Sequence, residues 1–202
     1  MEVVSRSRDT GRGADRGMQR PGGRNERVRR SVAHAVLDLL SAGTTKFTVA
    51  EIAERAGVHR ATVYRRWPTP SDLLREALTV HTSTLHVRDT GNWEPDLRAL
   101  VDDLAEFFAD PAELAMNMAM AGGSDPLLAE VLTEHWMPVI RTIESLVRTA
   151  IEREQVIATA DPATIVQLIV SPLLVQTMFL QTRPAKSFVR HLADTILRAT
   201  RP

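Results

Sequence analysis

Residues 47–67 read FTVAEIAERAGVHRATVYRRW, and this stretch decides the fold. Thr48 followed three residues later by Glu51 is a capping box, a reciprocal pair that satisfies two orphan N–H groups at a helix start. The short helix it opens buries Ile52 and Ala53 and closes at Ala56 and Gly57. Gly57 stands where the chain must turn through a left-handed backbone conformation, which a Cβ disfavours. Val58 then re-enters the core, and a second helix is expected from about His59 to Arg66. Val63 and Trp67 share its inner face, while Arg60, Ala61, Tyr64 and Arg65 point outward. Two short helices joined through Ala-Gly-Val form a helix-turn-helix.

Upstream, Val28, Val32, Ala35, Val36, Leu39 and Leu40 recur at helical spacing from Arg24 to Ser41, with Gly43 as a stop. Residues 1–23 are Arg- and Gly-rich without an apolar run, so they are expected to be a flexible arm and not a signal peptide. Downstream, Pro68, Pro70, Ser71 and Asp72 mark a new helix start, and Leu73, Leu74, Ala77, Leu78 and Leu85 carry that helix to about His86. A further helix is expected over about 95–108, with Leu97, Leu100, Val101, Leu104, Phe107 and Phe108 on one stripe. Residues 112–121 are apolar almost all round, which predicts a buried helix ended by Gly122 and Gly123.

Ser124, Asp125 and Pro126 open a long helix to about Arg153, and Pro138 within it predicts a kink or break near Trp136. Asp161 and Pro162 read as N-cap and first-turn proline of a helix to about Gln181. Pro184 opens the last helix, to about Ala199, with Phe188, Leu192, Ile196 and Leu197 on one face. No strand-like alternation of useful length occurs. The expected fold is all-α: an N-terminal three-helix helix-turn-helix domain over 24–72 and a C-terminal helical domain over 73–202.

The net charge of zero hides an asymmetry. Residues 1–70 hold 14 Lys and Arg against 7 acids, and the other 132 residues hold 11 against 18. A basic third on an acidic body is the electrostatic footprint expected for a polyanion partner. The second helix of the motif can lie in a major groove while the first braces against the backbone. Arg60, Arg65 and Arg66 then supply phosphate or guanine contacts, since a guanidinium bonds guanine O6 and N7 bidentately. Thr48, Thr62 and Tyr64 carry hydroxyls for phosphate oxygens, which set register. His59, at the start of the second helix, joins the candidate DNA-binding set, with Arg60 and Ala61 as the base readers.

Thr48 to Leu74 resembles the DNA-binding signature of the TetR family, T-x-x-x-I-A-x-x-A-G-V-x-x-x-T-x-Y-x-x-F-x-x-K-x-x-L. Thr48, Ile52, Ala53, Ala56, Gly57, Val58, Thr62, Tyr64 and Leu73 match it. Trp67 stands in place of the usual Phe, and Pro70 in place of a Lys that commonly touches phosphate. The resemblance implies that this contact is missing; compensation by Arg65, Arg66 or the N-terminal arm is a separate hypothesis. It also implies a double-stranded palindromic operator, a homodimer formed by the last two helices, a small-molecule effector bound in the C-terminal domain, and repression as the default.

The sequence supports burial in the C-terminal body without naming a ligand. Phe107, Met116, Met118, Met120, Trp136, Met137 and Met178 suit an adaptable apolar pocket; taken singly each is better explained by ordinary core packing, and only the Met116–Met120 cluster suits both equally. Asn117, Gln176, His81 and His135 are the polar candidates within it. Length and apolarity would let residues 161–181 pass for a membrane span, but Asp161, Pro172 and interspersed polar side chains favour a subunit interface and no membrane.

The absence of Cys removes disulfides and thiol chemistry and agrees with a cytoplasmic location. None of the six His has metal-ligand spacing, and no phosphate-binding glycine loop occurs. No enzyme, metal or cofactor is expected. The competing reading is a helical interaction or ligand-sequestering module that has lost DNA binding, which only Pro70 favours.

Overall fold

The structure is a computed structural model in which residues 23–122 and 126–202 are described. The N-terminal arm, except Gly23, and the expected stop and cap at Gly123, Ser124 and Asp125 lie outside the described residues. Among the described residues the chain is all-helical: α1 (Arg24–Ser41), α2 (Val49–Arg55), α3 (Arg60–Arg66), α4 (Pro70–Thr82), α5 (Trp93–Phe108), α6 (Pro111–Ala121), α7 (Pro126–Glu152), α8 (Pro162–Leu174) and α9 (Lys186–Ala199). A π-helical turn, Val175–Phe179, follows α8 directly.

Two apolar cores are stacked along the molecule. The lower one joins Val32, Val36 and Leu40 of α1, Ile52 of α2, Val63 of α3 and Leu73 and Leu78 of α4. It continues into the body through Ala112 and Met116 of α6 and Val131 and Leu132 of α7. The upper core joins α5, the later half of α7, α8 and α9 around Leu97, Leu104, Ile143, Ile169 and Ile196. Helix α4 crosses the expected boundary at 72/73 and packs on both α1 and α7, so it connects the two parts of the molecule.

Several expectations change here. Helix α4 starts at Pro70, ahead of Ser71 and Asp72, because Thr69 and Asp72 form a second capping box, and it ends at Thr82. Helix α6 is not buried all round. It lies on α1 and α7 with Ala112, Glu113, Met116 and Asn117 inward, while Met118 and Met120 are exposed. Apolar side chains on every face do not bury a helix whose neighbours leave part of its surface uncovered.

Helix α7 runs unbroken through Pro138. The proline deprives the carbonyl four residues back, at Glu134, of its donor, but Glu134 is exposed and water can serve it. Helix α8 stops as a regular α-helix at Leu174, and the π turn after Pro172 takes the chain to Gln181, whose φ is 50°. On α9 the fully buried face is Val189, Ala193 and Ile196, with Phe188, Leu192 and Leu197 half-buried beside it. The helix begins at Lys186, two residues beyond Pro184.

Candidate nucleic-acid interface

The motif is built as its residues dictate. Glu51 N–H donates to Thr48 Oγ1 at 3.2 Å, and Thr48 N–H donates back to Glu51 Oε2 at 2.7 Å. The Thr48 hydroxyl also donates to Glu51 Oε2, at 2.9 Å, so it is engaged in the cap. These bonds, the Thr48 backbone N–H foremost, hold the Glu51 carboxyl below the usual carboxylate range. Gly57 takes φ +64° with open space where a Cβ would stand, so its requirement is backbone conformation and not room.

Helix α3 then presents its outer face to solvent. His59, Arg60, Ala61, Tyr64, Arg65 and Arg66 are exposed, Thr62 is half-buried, and Val63 and Trp67 are buried. Arg60 reaches Glu54 at 3.5 Å on the surface, a weak pairing that costs little to release. Arg66 lies over the Trp67 ring, 5.1 Å from its centroid. Among the described residues Arg65 makes no ion pair.

A clamp that sequence reading missed fixes α3 against its neighbours. The buried Trp67 indole Nε1–H donates to Glu76 Oε2 of α4 at 3.1 Å. Glu76 Oε1 in turn accepts from Arg29 of α1 at 2.7 Å. One carboxylate thus joins α1, the end of α3 and α4, and it raises the pKa of Arg29 by hydrogen bond and charge. A Trp in place of the family's Phe brings a buried N–H that needs an acceptor, and Glu76 supplies it. Pro70 is equally well explained locally. It is the first residue of α4, behind the Thr69 cap, where its missing N–H costs nothing.

In the body, Phe107, Met116 and Asn117 are buried, Trp136, Gln176 and Met178 are half-buried, and Met120 and Met137 are exposed. The structure brings Phe107 within 5.6 Å of Trp136, edge to face, and 4.5 Å of the His81 ring. Asn117 Nδ2–H donates to Glu113 Oε1 at 2.8 Å, and Glu113 Oε2 lies 3.3 Å from His81 Nε2. Gln176 accepts instead from Thr182 at 3.0 Å. Glu113 was absent from the sequence-derived candidates because a Glu on an alanine-rich helix carries no signal of burial.

An exposed arginine-bearing helix, braced by a capped helix and a glycine turn below a helical body, defines a helix-turn-helix transcription regulator. Residues 36–77 match the family described as "Bacterial regulatory proteins, tetR family", and residues 87–196 match "Tetracyclin repressor-like, C-terminal domain". The chain belongs to the TetR family of transcriptional regulators, a non-enzymatic family.

Its relatives include the HTH-type transcriptional regulator AqdR of Rhodococcus erythropolis, 28% identical over 151 residues that cover 73% of each chain. YdeS of Bacillus subtilis is 26% identical over 173 residues, 84% of this chain and 87% of that one. Among solved structures, the TetR family transcription regulator SCO0332 superposes with a TM-score of 0.67 at 24% identity, covering 87% of this chain and 99% of that one.

Proposed function

We propose that the protein is a repressor that binds a palindromic operator as a homodimer and is released by a small, mainly apolar effector. The observation that carries the DNA half is the exposed face of α3. Arg60 and Ala61 sit in its first turn, where base edges are reached, and Tyr64, Arg65 and Arg66 follow along the same helix toward the backbone. Thr62 and Thr48 supply hydroxyls at the margins, Thr48 after exchanging its cap partner, and His59 flanks the helix start.

The dimer half rests on an apolar surface without a cover in one chain. Pro162–Phe179 has a mean hydropathy of 1.5, yet only 28% of it is buried. Leu168, Val175 and Phe179 are exposed there, Phe179 at 77%, and the exposed Leu180 follows directly. Polar Gln167, Ser171 and Gln176 interrupt the run, which suits packing against a second copy's last two helices better than lipid. The bacterial cytoplasm is where such a regulator meets its operator.

The effector half rests on the family and on the aromatic cluster of Phe107, Phe108 and Trp136 in the body. Helix α4 runs from the motif to this cluster, so a ligand favouring one packing of α4 on α6 and α7 changes the spacing of the two recognition helices. A gel shift with the DNA flanking its own gene tests the proposal. Binding to one palindrome at moderate salt supports it. Loss of all binding at low salt would instead support the sequestering module, which the missing Lys at position 70 favours.

A further inference from the structure

The seam between the two cores is polar, and its polar atoms are not all satisfied. His81 in the last turn of α4 is 8% exposed and Glu113 of α6 is 2% exposed. The 3.3 Å approach of His81 Nε2 to Glu113 Oε2 is not aligned as a hydrogen bond, and His81 Nε2 is buried without a partner among the described residues. His135 Nε2, on α7, is likewise buried and unpartnered. Burial first, and then the charge of nearby His81, hold His135 below the ordinary histidine range. Phe107 lies 4.5 Å from the His81 ring, and Trp136, next to His135 in sequence, packs edge-on to Phe107 and stacked on Phe108.

Unpartnered buried polar nitrogens cost free energy, and native proteins rarely leave two together. Their surroundings narrow what would satisfy them. Glu113 already faces His81 through Oε2 and accepts from Asn117 through Oε1, so a charged ligand would bring a charge without a free partner into the seam. The unmet capacity belongs to imidazole nitrogens, each able to donate to or accept from an oxygen. The apolar walls are ring faces and edges, which favour a planar aromatic partner. Met118 and Met120 of α6 and Met137 of α7 are exposed, unbranched side chains of the kind that adapts easily to a ring.

We propose that His81, Glu113 and His135 form the polar end of the effector site, and that this end selects an uncharged planar aromatic molecule bearing one hydroxyl or carbonyl oxygen. The inference rests on the reading of the body as an effector-binding domain. Asn117 holds Glu113 in place as a positioning residue. Because His81 ends the helix that begins beside the recognition motif, an oxygen bound there acts directly on the position of α4.

The test uses four probes on one ring system: 2-naphthol, naphthalene, 2-naphthoate and 2-naphthylmethylammonium, titrated by calorimetry into the full-length protein. The expected result is that 2-naphthol binds about tenfold more tightly than naphthalene, the ratio one well-made buried hydrogen bond provides, and more tightly than either ion. His135→Leu removes that preference without weakening naphthalene, and His135→Gln, which keeps a hydrogen-bonding group, restores part of it.

Equal affinity for 2-naphthol and naphthalene, tighter binding of either ion, no binding of any probe, or a preference that survives His135→Leu would each overturn the proposal. Operator release is measured separately. 2-Naphthol that binds through His135 and leaves the operator complex intact supports this site and removes the release mechanism. Release by other compounds with no dependence on His135 removes this site and keeps the mechanism.

Discussion

Glu76→Ala should loosen the whole DNA-binding head, because one carboxylate serves three helices. It removes the acceptor of the Trp67 indole at 3.1 Å and the partner of Arg29 at 2.7 Å. A hydrogen bond to a charged group contributes about 1.5–3 kcal/mol, and Trp67 is buried, so its N–H is left without water. The Arg29 pair, with Glu76 15% and Arg29 32% exposed, adds about 0.5–1 kcal/mol after screening. The expected loss is about 2–4 kcal/mol in urea unfolding followed by circular dichroism.

A double-mutant cycle with Trp67→Phe isolates the indole contact, since Phe keeps the ring and removes the donor. The coupling should be about 1.5–3 kcal/mol. A coupling below about 0.5 kcal/mol, the scatter of independent sites, would refute the assignment of Glu76 as the partner that allows a Trp at this position.

Arg65→Ala should weaken binding to all DNA sequences about equally and lower the salt slope by about one, while Arg60→Ala should cost about 1–3 kcal/mol and relax base preference; fluorescence anisotropy over a salt series separates them. Gly57→Ala should destabilise by about 1–2 kcal/mol through its φ of +64° alone, read as a lower urea midpoint with unchanged slope. Leu168→Glu should convert a dimer to a monomer by light scattering, and a variant that stays dimeric would move the interface away from α8.

Stability should fall as pH drops below the ordinary histidine value of 6.5, because the unfolded chain protonates His135 more readily than the folded one. The loss stops once pH passes the lowered folded value. His135→Gln should flatten that part of the curve, and the remaining acid loss belongs to carboxylates such as Asp89 and Asp194, which their Arg partners hold below the usual range.

The helix-turn-helix was legible because its signals are local. A capping box at Thr48 and Glu51, a left-handed glycine at position 57 and the buried Ile52, Val63 and Trp67 act over a few residues and stand where expected, with Val58 half-buried beside them. The Thr69–Asp72 cap had the same kind of signature and was missed only because Ser71 and Asp72 drew the start of α4 forward. The exposed face of α3 followed from the same periodicity, so the candidate DNA-contacting side chains were nameable without coordinates.

What the chain alone determined, then, is the motif, the all-helical class and the basic face, all consequences of short-range hydrogen bonding and helical period. What only the tertiary structure decided is which polar groups are buried together. Glu76 beneath Trp67, and Glu113 between His81 and Asn117, are ordinary surface-type residues in sequence. Their partners lie on other helices, and burial depends on how those helices pack. The same reason explains α6, whose Met118 and Met120 face solvent while Glu113 and Asn117 face inward beside Met116. Composition sets how much apolar surface a helix has, and its neighbours decide which face is covered.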